Sequence, residues 1–153
     1  MKTGDKFPDL LGKDAYGNEV RLSNYTDKKF VLYFYPKDNT TGCSAEACSL
    51  NNGLGRLQEA GYQVIGVSKD SEASHKKFID KYQLHFPLVA DTETTLCQLA
   101  GVWQLKKMAG REYMGIVRTT FLLSHDGTVE QIITKVNTKA AADQILSLIQ
   151  SPE

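Results

Sequence analysis

Apolar residues along this chain gather in short runs divided by polar turns, and the runs follow two periods. Phe30-Val31-Leu32-Tyr33-Phe34-Tyr35 is an unbroken apolar run stopped by Pro36, which predicts a strand buried on both faces. Leu50, Leu54 and Leu57 then recur at helical spacing up to Gly61. Val64-Ile65-Gly66-Val67-Ser68 reads as a second buried strand, completing a βαβ unit. Upstream, Leu11 to Leu22 carries a Tyr16-Gly17-Asn18 turn between short mixed stretches and predicts an N-terminal β-hairpin laid over a larger body.

Ser71 opens a charged amphipathic helix carrying Phe78, Ile79 and Tyr82, Pro87 interrupts the chain, and Thr92 to Ala100 predicts a short helix. Thr119 to Ser124 and Val129 to Val136 flank His125-Asp126-Gly127-Thr128, whose Asp-Gly pair signals an antiparallel hairpin. A last helix runs from about Thr138 to Gln150 with Ile145, Leu146 and Ile149 inward. This order predicts an α/β fold, a mixed central sheet with helices on both faces. No repeat, low-complexity tract or linker divides the chain, so residues 1–153 read as a single domain. The site is expected beyond the C-terminal end of the first buried strand.

Composition narrows the function classes. The 153 residues are 41% apolar, enough for a sizeable core. Eighteen basic and eighteen acidic side chains balance, so no long-range field draws nucleic acid or an anionic membrane. There is no apolar run of about 18 residues, and Met1-Lys2-Thr3-Gly4-Asp5 lacks the apolar core of a signal peptide, so the expectation is a soluble cytoplasmic protein. Cys43, Cys48 and Cys97 are too few, and odd in number, for a secreted disulfide framework. His75, His85 and His125 share no ligand-like spacing with one another or with the cysteines, and neither metal nor cofactor is expected.

The chemistry concentrates in Tyr35-Pro36-Lys37-Asp38-Asn39-Thr40-Thr41-Gly42-Cys43, with Glu46 and Cys48 following in the start of the helix. A thiol in a first helical turn feels the positive end of the helix dipole and unpaired N–H groups, and both favour thiolate. Those N–H groups, with the Thr40 hydroxyl three residues before the sulfur, can stabilise charge moving onto a leaving oxygen. Pro36 removes a donor and walls the pocket. The plainer alternatives are a turn or N-cap threonine and a small buried cysteine. Cys48 lies five residues on, so its Cα would stand roughly 8 to 9 Å from that of Cys43, beyond the disulfide limit of about 7 Å. A bridge between them therefore demands local unwinding. Gly53 and Gly55 either keep that unwinding accessible or permit close packing.

The stretch from Tyr33 to Cys48 resembles the active-site segment of the bacterioferritin-comigratory-protein, or peroxiredoxin Q, branch of the peroxiredoxins. Gly66-Val67-Ser68-Lys69-Asp70-Ser71 with Ser74-His75, Phe86-Pro87-Leu88 with Asp91, and Tyr113 to Phe121 resemble further segments of that branch in the same order. It differs in having Thr41 where the branch usually has Pro, and Ser44 where Thr is frequent. The resemblance implies a thioredoxin-like fold in which Cys43 is the peroxidatic cysteine and Pro36, Thr40 and Arg118 complete the catalytic set. It implies Cys48 as resolving cysteine, hydroperoxides as substrates, thioredoxin or a similar dithiol as reductant, and a monomer.

Cys97 is explained by an apolar helix face and is kept as the second candidate for the resolving thiol. Trp103 reads as a core or loop anchor, Arg111 as a solvent-facing loop residue between Gly110 and Glu112, and Lys106-Lys107 as a solvated face. Two other functions compete with this one. A thiol-disulfide oxidoreductase would use Cys-x-x-Cys, which this chain lacks, and a non-enzymatic binding or holdase module would carry an ordinary, unreactive thiol at Cys43.

Overall fold

A strand that is apolar on both faces needs cover on both, and the computed structural model, which describes residues 1–150, supplies it with two separate packings. The N-terminal hairpin is β1 (Leu10–Lys13) paired antiparallel with β2 (Glu19–Arg21). The long apolar run is β3 (Lys29–Phe34), buried throughout after Lys29. There follow α1 (Thr41–Asn52), α2 (Leu54–Glu59), β4 (Tyr62–Ser68), α3 (Glu72–Tyr82), β5 (Leu88–Ala90) and α4 (Thr95–Leu99). A second hairpin, β6 (Trp103–Met108) and β7 (Arg111–Ile116), precedes β8 (Thr119–Leu123), β9 (Val129–Ile133) and α5 (Ala141–Gln150).

Five strands form the central sheet in the order β5-β4-β3-β8-β9, parallel from β5 to β3 and antiparallel from β3 to β9. Alternation along β3 sorts the core. Val31, Tyr33 and Tyr35 pack with Ala47 and Leu50 of α1, Leu57 of α2, Phe78 of α3 and Ile145 of α5. Phe30, Leu32 and Phe34 face the other way, against Phe7, the N-terminal hairpin and Leu96 and Cys97 of α4. Cys43 thus belongs to one face of the sheet and Cys97 to the other. Among the described residues no helix is long and apolar enough to cross a membrane.

The structure differs from the sequence expectation at three places. The helix expected to run on to Gly61 breaks at Gly53, where a Cβ would stand 2.4 Å from the Cβ of Ala142. Gly53 therefore serves close packing against α5. The helix expected from Thr92 shrinks to α4 because Thr94 takes a left-handed conformation, φ 58°. The β6–β7 hairpin has no counterpart in the prediction, and Arg111, expected in a loop, stands in β7 with its side chain exposed. Both strands carry exposed apolar residues, Leu105, Met108, Tyr113 and Met114, so no buried alternation marks them. Their turn is Ala109-Gly110, both with positive φ, where Asn-Gly or Asp-Gly would have signalled a hairpin. Trp103 is half-buried against the core at the base of this hairpin.

Candidate active site

Tyr35 is the last buried residue of the β3 segment, its N–H bonded to the Val67 carbonyl, and after it the chain turns through Pro36 to Thr40 into α1. Thr40 occupies the N-cap position, but its hydroxyl donates to the Lys37 carbonyl at 2.9 Å and caps nothing. The first-turn amides of α1 are therefore left without a side-chain acceptor. Cys43 is the third residue of the helix and is 1% exposed, whereas Thr40 is exposed and Pro36 half-buried.

Arg118 arrives from the segment between β7 and β8, 75 residues on in sequence, and its Nη2 stands 3.3 Å from the Cys43 sulfur. Its Nη1 donates to Oε1 of Glu46 at 2.6 Å. The two groups lie one turn apart on α1, so a single guanidinium fork spans the thiol and the carboxylate. Gly42 makes room for it: a Cβ there would lie 3.2 Å from Nη2.

Glu46 is fully buried, its Oε2 has no partner, and its carboxyl is pushed up to about 7 by burial, with Arg118 pulling the other way. Arg118 is held above its ordinary value although burial opposes this, because Cys43 and Glu46 favour the cation. The two partners thus shift in senses that look contradictory for one ion pair. Enclosure costs the carboxylate more than one guanidinium returns, while the half-buried guanidinium has two groups beside it, Cys43 and Glu46, that favour its charge. The direction we assign to Glu46 is upward. Tyr33, also buried and with an unpartnered hydroxyl, is raised by burial and then by Glu46, Cys43 and Asp38.

Cys48 lies in the same unbroken helix, half-buried, and all three thiols are free. Burial pushes the Cys48 thiol up. Cys97 is fully buried and its thiol is pushed far up, first by burial and then by Asp91, whose carboxylate accepts the N–H groups of Leu96 and Cys97 at 3.1 and 2.8 Å.

Cys43, Thr40, Pro36 and Arg118 thus gather at the β3–α1 junction, with Cys48 one and a half turns along. The Arg118 partnership of Glu46, the role of Gly42 and a buried Asp38–His75 contact under the turn had not been read from the sequence. A charged residue three positions after Cys43, amid residues buried at Ala47 and Leu50, was the available signal for Glu46. Asp38, Asp70 and His75 bring ligand-type atoms within 4.8 Å of one another, but these bond to each other and to neighbouring groups.

Residues 3–132 match the model of the AhpC/TSA family. Peroxiredoxin Bcp of Bacillus subtilis is 42% identical over 151 residues, covering 99% of this chain and 94% of that protein. Peroxiredoxin Bcp of Escherichia coli is 33% identical over 150 residues, 98% of this chain and 96% of that one. Among solved structures, a cysteine-to-serine mutant of PrxQ from Xylella fastidiosa superposes with a TM-score of 0.88 at 34% identity, covering 98% and 96% of the two chains. The bacterioferritin comigratory protein of Xanthomonas campestris, described for its alkyl peroxide reduction activity, gives 0.83 at 35% identity over 95% and 98%.

Proposed function

This chain belongs to the AhpC/TSA family and is a thiol peroxidase of the peroxiredoxin Bcp/PrxQ type on a thioredoxin-like fold, and on that premise we propose that Cys43 is its peroxidatic cysteine. The observation that carries the assignment is the Arg118 guanidinium at 3.3 Å from the Cys43 sulfur, at the open start of α1. A cation and unpaired amides beside a sulfur favour its anion and hold a peroxide for it.

The Cys43 thiolate attacks the distal oxygen of a hydroperoxide, the O–O bond breaks, and the departing alkoxide or hydroxide takes up a proton. Arg118 and the first-turn amides carry the charge on that oxygen, Thr40 orients it, and Pro36 walls the site. The sulfur is left as a sulfenic acid. Cys48 then condenses with it, releasing water and forming a disulfide once α1 has unwound. A dithiol reduces the bridge, with thioredoxin or a similar protein as the carrier. Cys97 is set apart by its place on the opposite face of the sheet. The rest of this reading is a single domain, residues 1–153, acting as a cytoplasmic monomer without a cofactor on hydrogen peroxide and organic hydroperoxides.

Stopped-flow peroxide consumption by wild type and Cys43→Ser tests the assignment, followed by intact mass without reductant. Fast consumption lost in the variant, with the two thiol hydrogens missing and mapped to Cys43 and Cys48, is expected. Equal slow consumption by both proteins would remove the role of Cys43, and undiminished multiple turnover in Cys48→Ser would remove that of Cys48.

A further inference from the structure

Beneath the turn that carries Pro36 and Thr40 lies a buried hydrogen-bond network that the peroxide does not need to touch. The Asp38 carboxyl meets three side chains: the Tyr35 hydroxyl donates to Oδ1 at 2.6 Å and the Ser74 hydroxyl to Oδ2 at 2.8 Å, and His75 Nδ1 is hydrogen-bonded to Oδ2 at 2.7 Å. The Asp38 N–H donates to Oδ2 of Asp70 at 2.8 Å, and Asp70 is itself held by the Ser68 hydroxyl. His75 is fully buried, and its other ring nitrogen, Nε2, stands 2.9 Å from the Val89 carbonyl of β5. One buried ring thus joins the Asp38 carboxyl of the turn to the Val89 carbonyl of β5, and both ring nitrogens are engaged.

A second hold acts on the next residue. Asn39 has a left-handed backbone, φ 60°, and its side-chain oxygen accepts from Lys81 Nζ at 2.9 Å and from the Tyr82 hydroxyl at 3.4 Å. Two consecutive turn residues are thus gripped by one helix, α3, immediately before Thr40. A left-handed asparagine is tolerated but not favoured, so the turn needs such holds to keep its shape.

We propose that His75 is a positioning residue for peroxide reduction: paired with Asp38, it fixes the turn that places Thr40 ahead of Cys43. This rests on the reading of Cys43 and Thr40 given above. His75 touches neither the sulfur nor Arg118, so its removal disturbs the placing of the peroxide and leaves the nucleophile's own partners standing.

The two ring contacts can be separated by substitution. In His75→Asn the amide N–H can replace Nδ1 toward Asp38, and in His75→Gln the longer amide can replace Nε2 toward Val89. The second-order rate of Cys43 with hydrogen peroxide is read beside the rate of its alkylation by iodoacetamide, which uses the same sulfur but needs no oriented O–O bond. His75→Gln should lose about tenfold in the peroxide rate, His75→Asn less than about threefold, and both should alkylate within about twofold of wild type. In the 15N-edited spectrum of wild type a His75 ring N–H protected from solvent exchange is expected, which requires no variant to fold.

A peroxide rate kept by folded His75→Gln, equal losses in both reactions, or a freely exchanging His75 ring in wild type would overturn the proposal. A wild type no faster than Cys43→Ser would remove the underlying reading of Cys43 as well, whereas a fast wild type with an unaffected His75→Gln removes only the role of His75.

Discussion

The chain begins a helix twice with the same four-residue pattern, Thr40-Thr41-Gly42-Cys43 and Thr94-Thr95-Leu96-Cys97. In each case the first threonine is an N-cap that makes no side-chain capping bond, and the cysteine is the third helical residue and buried. The surroundings then diverge. At α4 the Asp91 carboxylate occupies the helix start, accepting two of its free amides and standing beside the Cys97 thiol, which it pushes up. At α1 the helix start has no such acceptor, and the charged neighbour of the sulfur is the Arg118 guanidinium, backed by Glu46. A helix N-terminus therefore prepares a cysteine for chemistry only if no carboxylate has already claimed its amides.

Removing the cation should blur this contrast most. In Arg118→Met the sulfur keeps its helix start and loses its charged partner, and peroxide consumption should fall about a hundredfold, the scale of losing one preorganised donor to a developing anion. Stopped-flow traces decide it. A loss under about threefold would mean that the open amides suffice.

The two carboxylates near the two cysteines also differ, and Glu46 supplies a pH test. Its folded carboxyl, near 7, lies above the ordinary 4.5 because burial opposes the charge. A raised value means that the folded state holds the proton more tightly, so the contribution of Glu46 is fully present below about pH 4.5 and is lost as pH rises through about 7. Wild type should lose stability relative to Glu46→Gln over that window, by at most on the order of 3 kcal/mol. Urea unfolding of both proteins at several pH values measures the difference. A wild type that gains on Glu46→Gln with rising pH would show that the Arg118 pair outweighs burial.

On the other side of the comparison, Asp91→Asn removes the anion from Cys97. Weakening the two bonds to the α4 amides should cost about 1 kcal/mol, read as a lower Tm. Cys97 should nevertheless stay silent to Ellman's reagent in the folded protein, because burial is the largest cause of its shift. Rapid native labelling of Cys97 in the variant would make Asp91, and not burial, what keeps it inert.

Much of this could be read before the structure, and the contrast explains what could not. The buried β3 run, the N-terminal and Asp126-Gly127 hairpins and the capping role of Ser71, whose hydroxyl accepts the Ser74 N–H, follow from local periodicity and turn chemistry. The cysteine at the β3–α1 junction was legible for the same reason. Arg118 came only by resemblance, since 75 residues separate it from Cys43. Asp91, Glu46 and the Asp38–His75 pair act across space as well, and no local period reports such partners. The β6–β7 hairpin escaped because its strands bury neither face regularly and its turn uses alanine.

The contrast also has a dynamic side: in the proposed cycle α1 must unwind, whereas nothing requires it of α4. Two glycines follow the active helix, and they are not equivalent. Gly53 is fixed by contact with Ala142, but a Cβ on Gly55 would meet nothing within 4 Å. Gly55→Ala should therefore stabilise α2 by about 1 kcal/mol without strain. If opening of α1 spreads through the Gly53 break into α2, the same substitution should slow closure of the Cys43–Cys48 disulfide about fivefold while leaving the first peroxide reaction unchanged. Rapid quench with alkylation of the remaining thiols separates the two steps. An unaltered closure rate in a measurably stabilised variant would confine the unwinding to α1 and make the break at Gly53 its boundary.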